Sequence, residues 1–374
     1  MRVLIVSGIW PPDIGGPASH APEVAEALVA RGHEVEVVTT AAAPPPAGPA
    51  SVRFVSRRLP PGLRHAAVVA LVARRSRRAD VVYATSMVGR SALATAMSRA
   101  PLVVKLAGDP AFERARRRGL YDGVLSEFQT ARLDPRAELL RRWRTFTTRR
   151  AIHVFCPSEF VRAIVLTWGI PPDRVSVLPN AAPPVPALPA REELRRSLGI
   201  DGPTLAFAGR LTRAKALEVA FAAVDELEDV SLLVAGDGEE REALEALAGP
   251  RVRFLGLLPR ERVLEVLAAA DAVVLSSSWE NFPHALVEAL AVGSPVVATR
   301  VGGVPEIVED EVNGLLVPPG DPAALAAAVR RFFADEELRV RLTAGAAPSA
   351  RRFSLESVID RLEQTLARVA RTSS

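Results

Sequence analysis

Strand-like apolar segments alternate with helix-length stretches along nearly the whole chain, and one proline-dense break interrupts the rhythm. In the first half these segments fall at residues 3–6, 34–40, 80–84, 102–106, 153–156 and 175–178. In the second half they fall at 204–208, 231–235, 252–255, 272–276 and 296–298. Short continuous apolar runs suit strands covered on both faces, and strands alternating with helices imply a parallel sheet. Between the two series lies Asn180-Ala181-Ala182-Pro183-Pro184-Val185-Pro186-Ala187-Leu188-Pro189-Ala190, whose prolines favour an extended, stiff connector. The pattern predicts an α/β chain of two Rossmann-like, doubly wound parallel-sheet domains. The first spans residues 1–180 and the second 203–350, with a Pro-rich linker at 181–202. Residues 351–374 are expected to form a terminal helix that returns to the first domain. Ligands in open α/β sheets bind outside the carboxyl ends of the strands, so the two domains are expected to face each other across a cleft there.

The size and composition agree with two packed cores. A chain of 374 residues exceeds what one core supports, and 49% apolar content excludes disorder. No apolar run approaches the roughly 20 residues of a membrane-spanning helix. The start, Met1-Arg2-Val3-Leu4-Ile5-Val6, is too short for a signal peptide and reads as a buried first strand. A single cysteine, Cys156, excludes a disulfide framework and a multi-cysteine metal site, and is read as a buried small hydrophobe. A cytoplasmic location is expected. The net charge of +4 hides an asymmetry: residues 1–180 hold 26 Lys+Arg against 14 Asp+Glu, the remainder 21 against 29. Arginine clusters at 74–78, 114–118 and 141–150 suit a solvated surface or the anionic inner face of a membrane. Nucleic acid is not expected, because aromatic residues make up only 5% of the chain and no stacking platform accompanies the clusters.

Several turns carry candidate chemistry. Residues 279–306 place Glu280 and Glu288 eight positions apart across a loop that enters a helix, a spacing suited to gripping a polyhydroxylated ligand at two points. Arg210 and Lys215 bracket the turn after the first strand of the second domain, where a diphosphate would meet two cations and the N–H groups of a helix start. Lys215 is one of only two lysines in the chain, the other being Lys105. Gly15-Gly16 occupies the equivalent turn of the first domain and permits close approach of backbone to phosphate. Gly236-Asp237-Gly238 is read as a tight turn at the same sheet edge, equally suited to a plain turn and to a ligand contact. The pattern is not Gly-x-Gly-x-x-Gly, and the second strand ends in Thr39-Thr40 rather than an acid, which argues against a dehydrogenase. The five histidines show no metal-ligand spacing; His20 opens a helix beside the glycine pair.

With these residues placed, the chain resembles the retaining glycosyltransferases of family 4, which have the GT-B fold. The resemblance runs nearly end to end through Trp10-Pro11-Pro12, Arg31-Gly32-His33-Glu34-Val35, Pro157-Ser158-Glu159-Phe160, Leu178-Pro179-Asn180, Gly209-Arg210-Leu211 and Gly236-Asp237-Gly238. Its most specific block runs from Glu280 to Gly302-Gly303-Val304-Pro305-Glu306. It implies a metal-independent, cofactor-free transfer of a hexose from a nucleotide-diphosphate sugar, with retention, to a sugar, glycan or lipid-linked acceptor. It further implies that Arg210 and Lys215 clamp the diphosphate while Glu280 holds the transferred sugar, aided by the amides of Asn281 and Phe282. Glu288 would take the ribose hydroxyls, and Gly16 would offer its amide to the phosphates. Two positions depart from the family pattern. Asn281 stands where many relatives have glycine, and Ala107 stands where many have a histidine, leaving Lys105 and Asp109 as the nearest polar candidates on the acceptor side. The alternatives are a nucleotide-sugar epimerase or sucrose-type synthase on the same fold, or a non-catalytic basic surface-binding protein.

Overall fold

The first strand, β1 (Arg2–Val6), is buried from Val3 onward, so both of its faces must be covered. The computed structural model, which describes residues 1–13, 16–182 and 184–372, covers it with helices on both sides of a parallel sheet. That sheet also contains β2 (Glu34–Ala41), β3 (Ser51–Ser56), β4 (Val81–Ala84), β5 (Leu102–Lys105), β6 (His153–Cys156) and β7 (Val175–Val177). The strand order is β3-β2-β1-β4-β5-β6-β7, and every pairing is parallel. Register aligns Val3 with Val35 on one side and with Val81 on the other. From β1 the chain winds outward to β3, then returns to place β4 on the opposite side of β1. The crevice at the carboxyl ends of β1 and β4 is therefore the topological switch point, where such sheets bind ligands.

The second sheet repeats the scheme with β8 (Thr204–Ala208), β9 (Ser231–Ala235), β10 (Val252–Gly256), β11 (Ala272–Leu275), β12 (Val296–Thr299) and β13 (Gly314–Val317). Its order is β10-β9-β8-β11-β12-β13, again all parallel, and its switch point lies between β8 and β11. Phe207, Val297 and Phe332 are fully buried in its core.

The chain divides into two compact units. Unit 1 comprises Met1–Asn180 together with Glu356–Ser374, and unit 2 comprises Ala181–Leu355. The closing helix, Leu355–Thr372, buries Val358, Ile359, Leu362, Leu366 and Val369 along one stripe. Its Glu363 accepts from Arg31 and from His33, each at 2.7 Å.

Three elements differ from the sequence reading. The sheet-edge strands β3 and β13 were not anticipated. The linker is also shorter than residues 181–202, because Arg191–Ser197 is a helix, with Glu192 and Glu193 in its first turn and Arg195 and Arg196 in its last. That charge order complements the helix dipole, and Leu194 anchors the helix in the core of unit 2. Cys156 is fully buried, and burial pushes its thiol up to about 12, so it is an inert core side chain. Among the described residues no helix is long and apolar enough to cross a membrane.

Candidate functional site

At the switch point of unit 2, the loops following β8 and β11 meet. The β8 loop runs through Gly209 and Arg210 to a 3₁₀ turn, Arg213–Lys215, then to Ala216 at φ 45° and the helix Leu217–Asp225. A non-glycine residue in the left-handed region costs about 1 kcal/mol or more and persists only where the surroundings enforce it. Here the turn is held by two of three consecutive serines after β11. Ser276 Oγ donates to the Lys215 carbonyl at 3.1 Å, and Ser278 donates its amide to the Ala214 carbonyl at 2.9 Å. Between them, Ser277 Oγ donates to Glu280 Oε1 at 2.7 Å.

This stitching brings Lys215 to Glu280. The ammonium lies 2.5 Å from Oε1, and the Glu280 residue is only 8% exposed. Both of these contacts fall on Oε1; Oε2 has no hydrogen-bond partner among the described residues. Arg210 is exposed, and its guanidinium likewise has no ion pair or hydrogen bond among the described residues. Two strand-end loops thus present one neutralised cation, one open cation and one open carboxylate oxygen, a set that matches a polyhydroxylated anion.

Glu288 lies in the next helix, His284–Ala291, and meets Arg260 Nε at 3.5 Å. Phe282 is buried, its ring edge-to-face with Phe353 at 5.4 Å, which fixes the loop carrying Glu280. Gly236 differs from the sequence reading in one respect: its amide is already donated to the Gly256 carbonyl at 2.8 Å. Its necessity is steric, since a Cβ there would lie 1.8 Å from the Gly209 carbonyl oxygen. The β8 and β9 loops can approach so closely only because Gly236 lacks a side chain.

The first-unit candidates are dispersed among structural duties. Gly15 lies outside the described residues, and Gly16 opens the helix Gly16–Ala30. His20 is buried, with Nε2 3.0 Å from the Tyr83 hydroxyl. Asp109 is 1% exposed and caps the helix Pro110–Arg117 by accepting from the amides of Ala111 and Phe112. Its other oxygen accepts from Arg144, itself buried, and from Gln129 at 3.0 Å. That network gives Asp109 a structural role. Lys105, at the carboxyl end of β5, is buried and donates to the Pro179 carbonyl at 3.1 Å; burial holds its ammonium down to about 7. Ser276, Ser277 and Arg260 escaped the sequence reading. A Ser-Ser-Ser run between a strand and Trp279-Glu280 was the available signal for the first two, and nothing in the sequence marks Arg260.

A model described as Glycosyltransferase Family 4 matches residues 14–184, and one described as Glycosyl transferases group 1 matches residues 190–347. An uncharacterized glycosyltransferase of Methanocaldococcus jannaschii is 30% identical over 366 residues, 90% of either chain. The chain belongs to the group 1 glycosyltransferases. A glycosyltransferase from Xylanimonas cellulosilytica named for D-inositol 3-phosphate is 40% identical over 52% of this chain and 51% of its own. The α-D-kanosaminyltransferase of Streptomyces kanamyceticus is 34% identical over 46% of this glycosyltransferase and 47% of its own length. The chain thus spans about half the length of these two relatives. Among solved structures, Anabaena HepE in complex with UDP-glucose aligns with a TM-score of 0.79 at 22% identity, covering 98% of this chain and 100% of that one. Sucrose-phosphate synthase of Thermosynechococcus elongatus gives the same TM-score and identity, with 98% of each chain covered. These likenesses establish the GT-B fold of this glycosyltransferase.

Proposed function

We propose that this glycosyltransferase moves a hexose from a nucleoside-diphosphate sugar to a hydroxyl acceptor, with retention and without a metal ion. The observation that carries the proposal is the Lys215–Glu280 pair at the switch point of unit 2, with Arg210, whose guanidinium has no partner among the described residues, in the same β8 loop. Arg210 and Lys215 take the diphosphate, and Glu280 Oε2 accepts a hydroxyl of the sugar, with the amides of Asn281 and Phe282 alongside. Glu288 takes the ribose hydroxyls. As the bond from C1 to the phosphate oxygen breaks, charge grows on the leaving diphosphate, and fixed cations favour that state over the ground state. The acceptor oxygen bonds to C1 on the face the phosphate leaves, and its proton passes to the departing phosphate oxygen. A uridine donor is favoured, since the structural neighbour HepE was solved with UDP-glucose. The protein works in the cytoplasm, where nucleotide sugars are made, with its basic half suited to the inner face of the membrane.

The test is a panel of UDP-, GDP- and ADP-hexoses assayed for hydrolysis and transfer in the presence of a chelator, with the anomer of the product read by NMR. Turnover of a UDP-hexose with retained configuration is expected. Loss of all turnover on chelation, or an inverted product, would overturn the metal-free or the retaining half of the proposal.

A further inference from the structure

Unit 1 contains a cavity of about 760 Å³ whose walls and charges the donor chemistry does not use. Its floor is formed by residues directly after β4, Thr85 and Ser86, and directly after β5, Leu106 and Ala107. It therefore lies at the carboxyl edge of the sheet, beside the switch point, where open α/β sheets bind ligands. Its volume falls in the range of small-molecule sites.

The walls are hydrocarbon. Val69 and Ala70 come from the helix Pro61–Ser76, Leu93 and Met97 from the helix Val88–Ser98, and Leu140 and Trp143 from the helix Pro135–Thr148. Leu93, Met97 and Trp143 are 40%, 65% and 41% exposed, an amount of open apolar surface around one concavity that marks a binding site. Gly89 lets the Trp143 indole come close, since a Cβ there would sit 2.9 Å from Nε1.

Two of the cations in the lining, Arg90 and Arg114, have no ion pair or side-chain hydrogen bond among the described residues, whereas Lys105 donates to the Pro179 carbonyl. Arg90 is half-buried. Burial and the like charges of Arg64 and Arg114 hold its guanidinium below its usual range, and the same three arginines, after burial, hold His65 down. Arg114 and His65 also line the cavity. Of the acids, only Glu113 is in the lining; Arg144, the remaining arginine there, is neutralised by Asp109. Thr85 is 8% exposed, and its buried hydroxyl has no hydrogen-bond partner among the described residues. Half-buried Arg90, with Arg114 and His65 in the same lining and the idle Thr85 hydroxyl, calls for an anion. A glycan would leave its hydroxyls unpaired against Leu93, Met97 and Leu140, whereas a hydrocarbon chain would cover them.

We propose that this cavity binds a lipid phosphate, its isoprenoid or acyl chain lying between the three helices and its phosphate at Arg90, Arg114 and Thr85. Naming that molecule as the acceptor rests on the transferase reading above; its binding does not.

The experiment is calorimetric titration of the full chain with monomeric farnesyl phosphate, decyl phosphate, farnesol and inorganic phosphate, and separately with UDP. The two amphiphilic phosphates are expected to bind at least about tenfold more tightly than farnesol or inorganic phosphate, the scale of a charge-assisted hydrogen bond. Their ranking tells isoprenoid from acyl. Arg90→Ala is expected to weaken binding by about tenfold or more, with Arg90→Lys recovering most of it. Ala70→Trp, on an exposed helix position facing the cavity, is expected to abolish it while leaving the UDP affinity unchanged. Equal affinity for farnesol and farnesyl phosphate would overturn the proposal. So would unchanged binding in Arg90→Ala or Ala70→Trp, or association with phosphatidic acid vesicles but not with monomers. Failure to bind UDP would instead overturn the donor assignment and leave the cavity result standing.

Discussion

The Lys215–Glu280 pair makes the sharpest prediction, because its two members are assigned to different parts of the donor yet touch each other. Lys215→Ala removes an ammonium 2.5 Å from Oε1 and leaves a largely buried carboxylate with only the Ser277 hydroxyl. Breaking a fully buried pair costs about 3–5 kcal/mol, and side chains 20% and 11% exposed keep some solvation, so about 2 kcal/mol is expected here. Glu280→Gln keeps the shape and the serine contact, and also frees the ammonium. The double variant Lys215→Ala/Glu280→Gln leaves no unpaired charge. Its stability loss is expected to fall short of the summed single losses by about 1 kcal/mol or more. Turnover should drop at least about 100-fold in each single variant, the scale of one transition-state contact. Binding of UDP, which lacks the sugar, separates the roles: Lys215→Ala weakens it, whereas Glu280→Gln leaves it unchanged or tighter. Urea unfolding, steady-state turnover and UDP titration on the four proteins complete the cycle. Additive stabilities would refute the ion pair, and near-normal turnover in either single variant would refute the site.

Three further outcomes follow from the geometry. Gly236→Ala puts a methyl 1.8 Å from the Gly209 carbonyl, so it is expected to cost about 2–4 kcal/mol in urea unfolding; a loss below about 0.5 kcal/mol would show that the β8 and β9 loops are not so close. Lys105 has its ammonium held down to about 7 from 10.5, so the unfolded chain binds the extra proton between those values. Stability should therefore rise with pH from 7 toward 10, and Lys105→Met should flatten that rise and stabilise the protein by about 1–3 kcal/mol at pH 7; an unchanged slope would count against it. Asp109→Ala removes a helix cap and strands buried Arg144, for an expected loss of about 3–5 kcal/mol, with Asp109→Asn milder; equal losses in thermal melts would mean that the charge is immaterial.

Much of this architecture was readable because nearly all the interior strands are uninterrupted apolar runs. Val81–Ala84 and Ala272–Leu275, four buried residues each, admit little else once helices flank them. The two strands that escaped notice, Ser51–Ser56 and Gly314–Val317, lie at sheet edges. In the first of these only Val55 is buried, so its side chains carry no core pattern. The helix Arg191–Ser197 hid behind the prolines because Leu194 alone faces inward. Arg210, Lys215, Glu280 and Glu288 stood out because each sits just after a strand or in the helix that follows. Their mutual contacts could not be read. Lys215 and Glu280 are 65 positions apart, and β8 and β11 become neighbours only after β9 and β10 have been laid outward. Likewise, the donation of the Gly236 amide to Gly256 depends on which loops stack, which a turn motif does not specify.

The closing helix gives the protein an inverted order of assembly on the ribosome. Unit 1 needs Glu356 onward, yet the 175 residues 181–355 are made in between. At about 5–20 residues per second, the nascent first unit waits roughly 10–35 s for its last helix. Unit 2 is continuous in sequence and waits for nothing. During that interval the groove that will take Ile359, Leu362 and Leu366 is open, and Arg31 and His33 have no Glu363 to meet. The unit begun first is thus completed only after the unit that interrupts it, and a substitution in the helix Leu355–Thr372 shows its defect in a unit whose other residues precede Ala181.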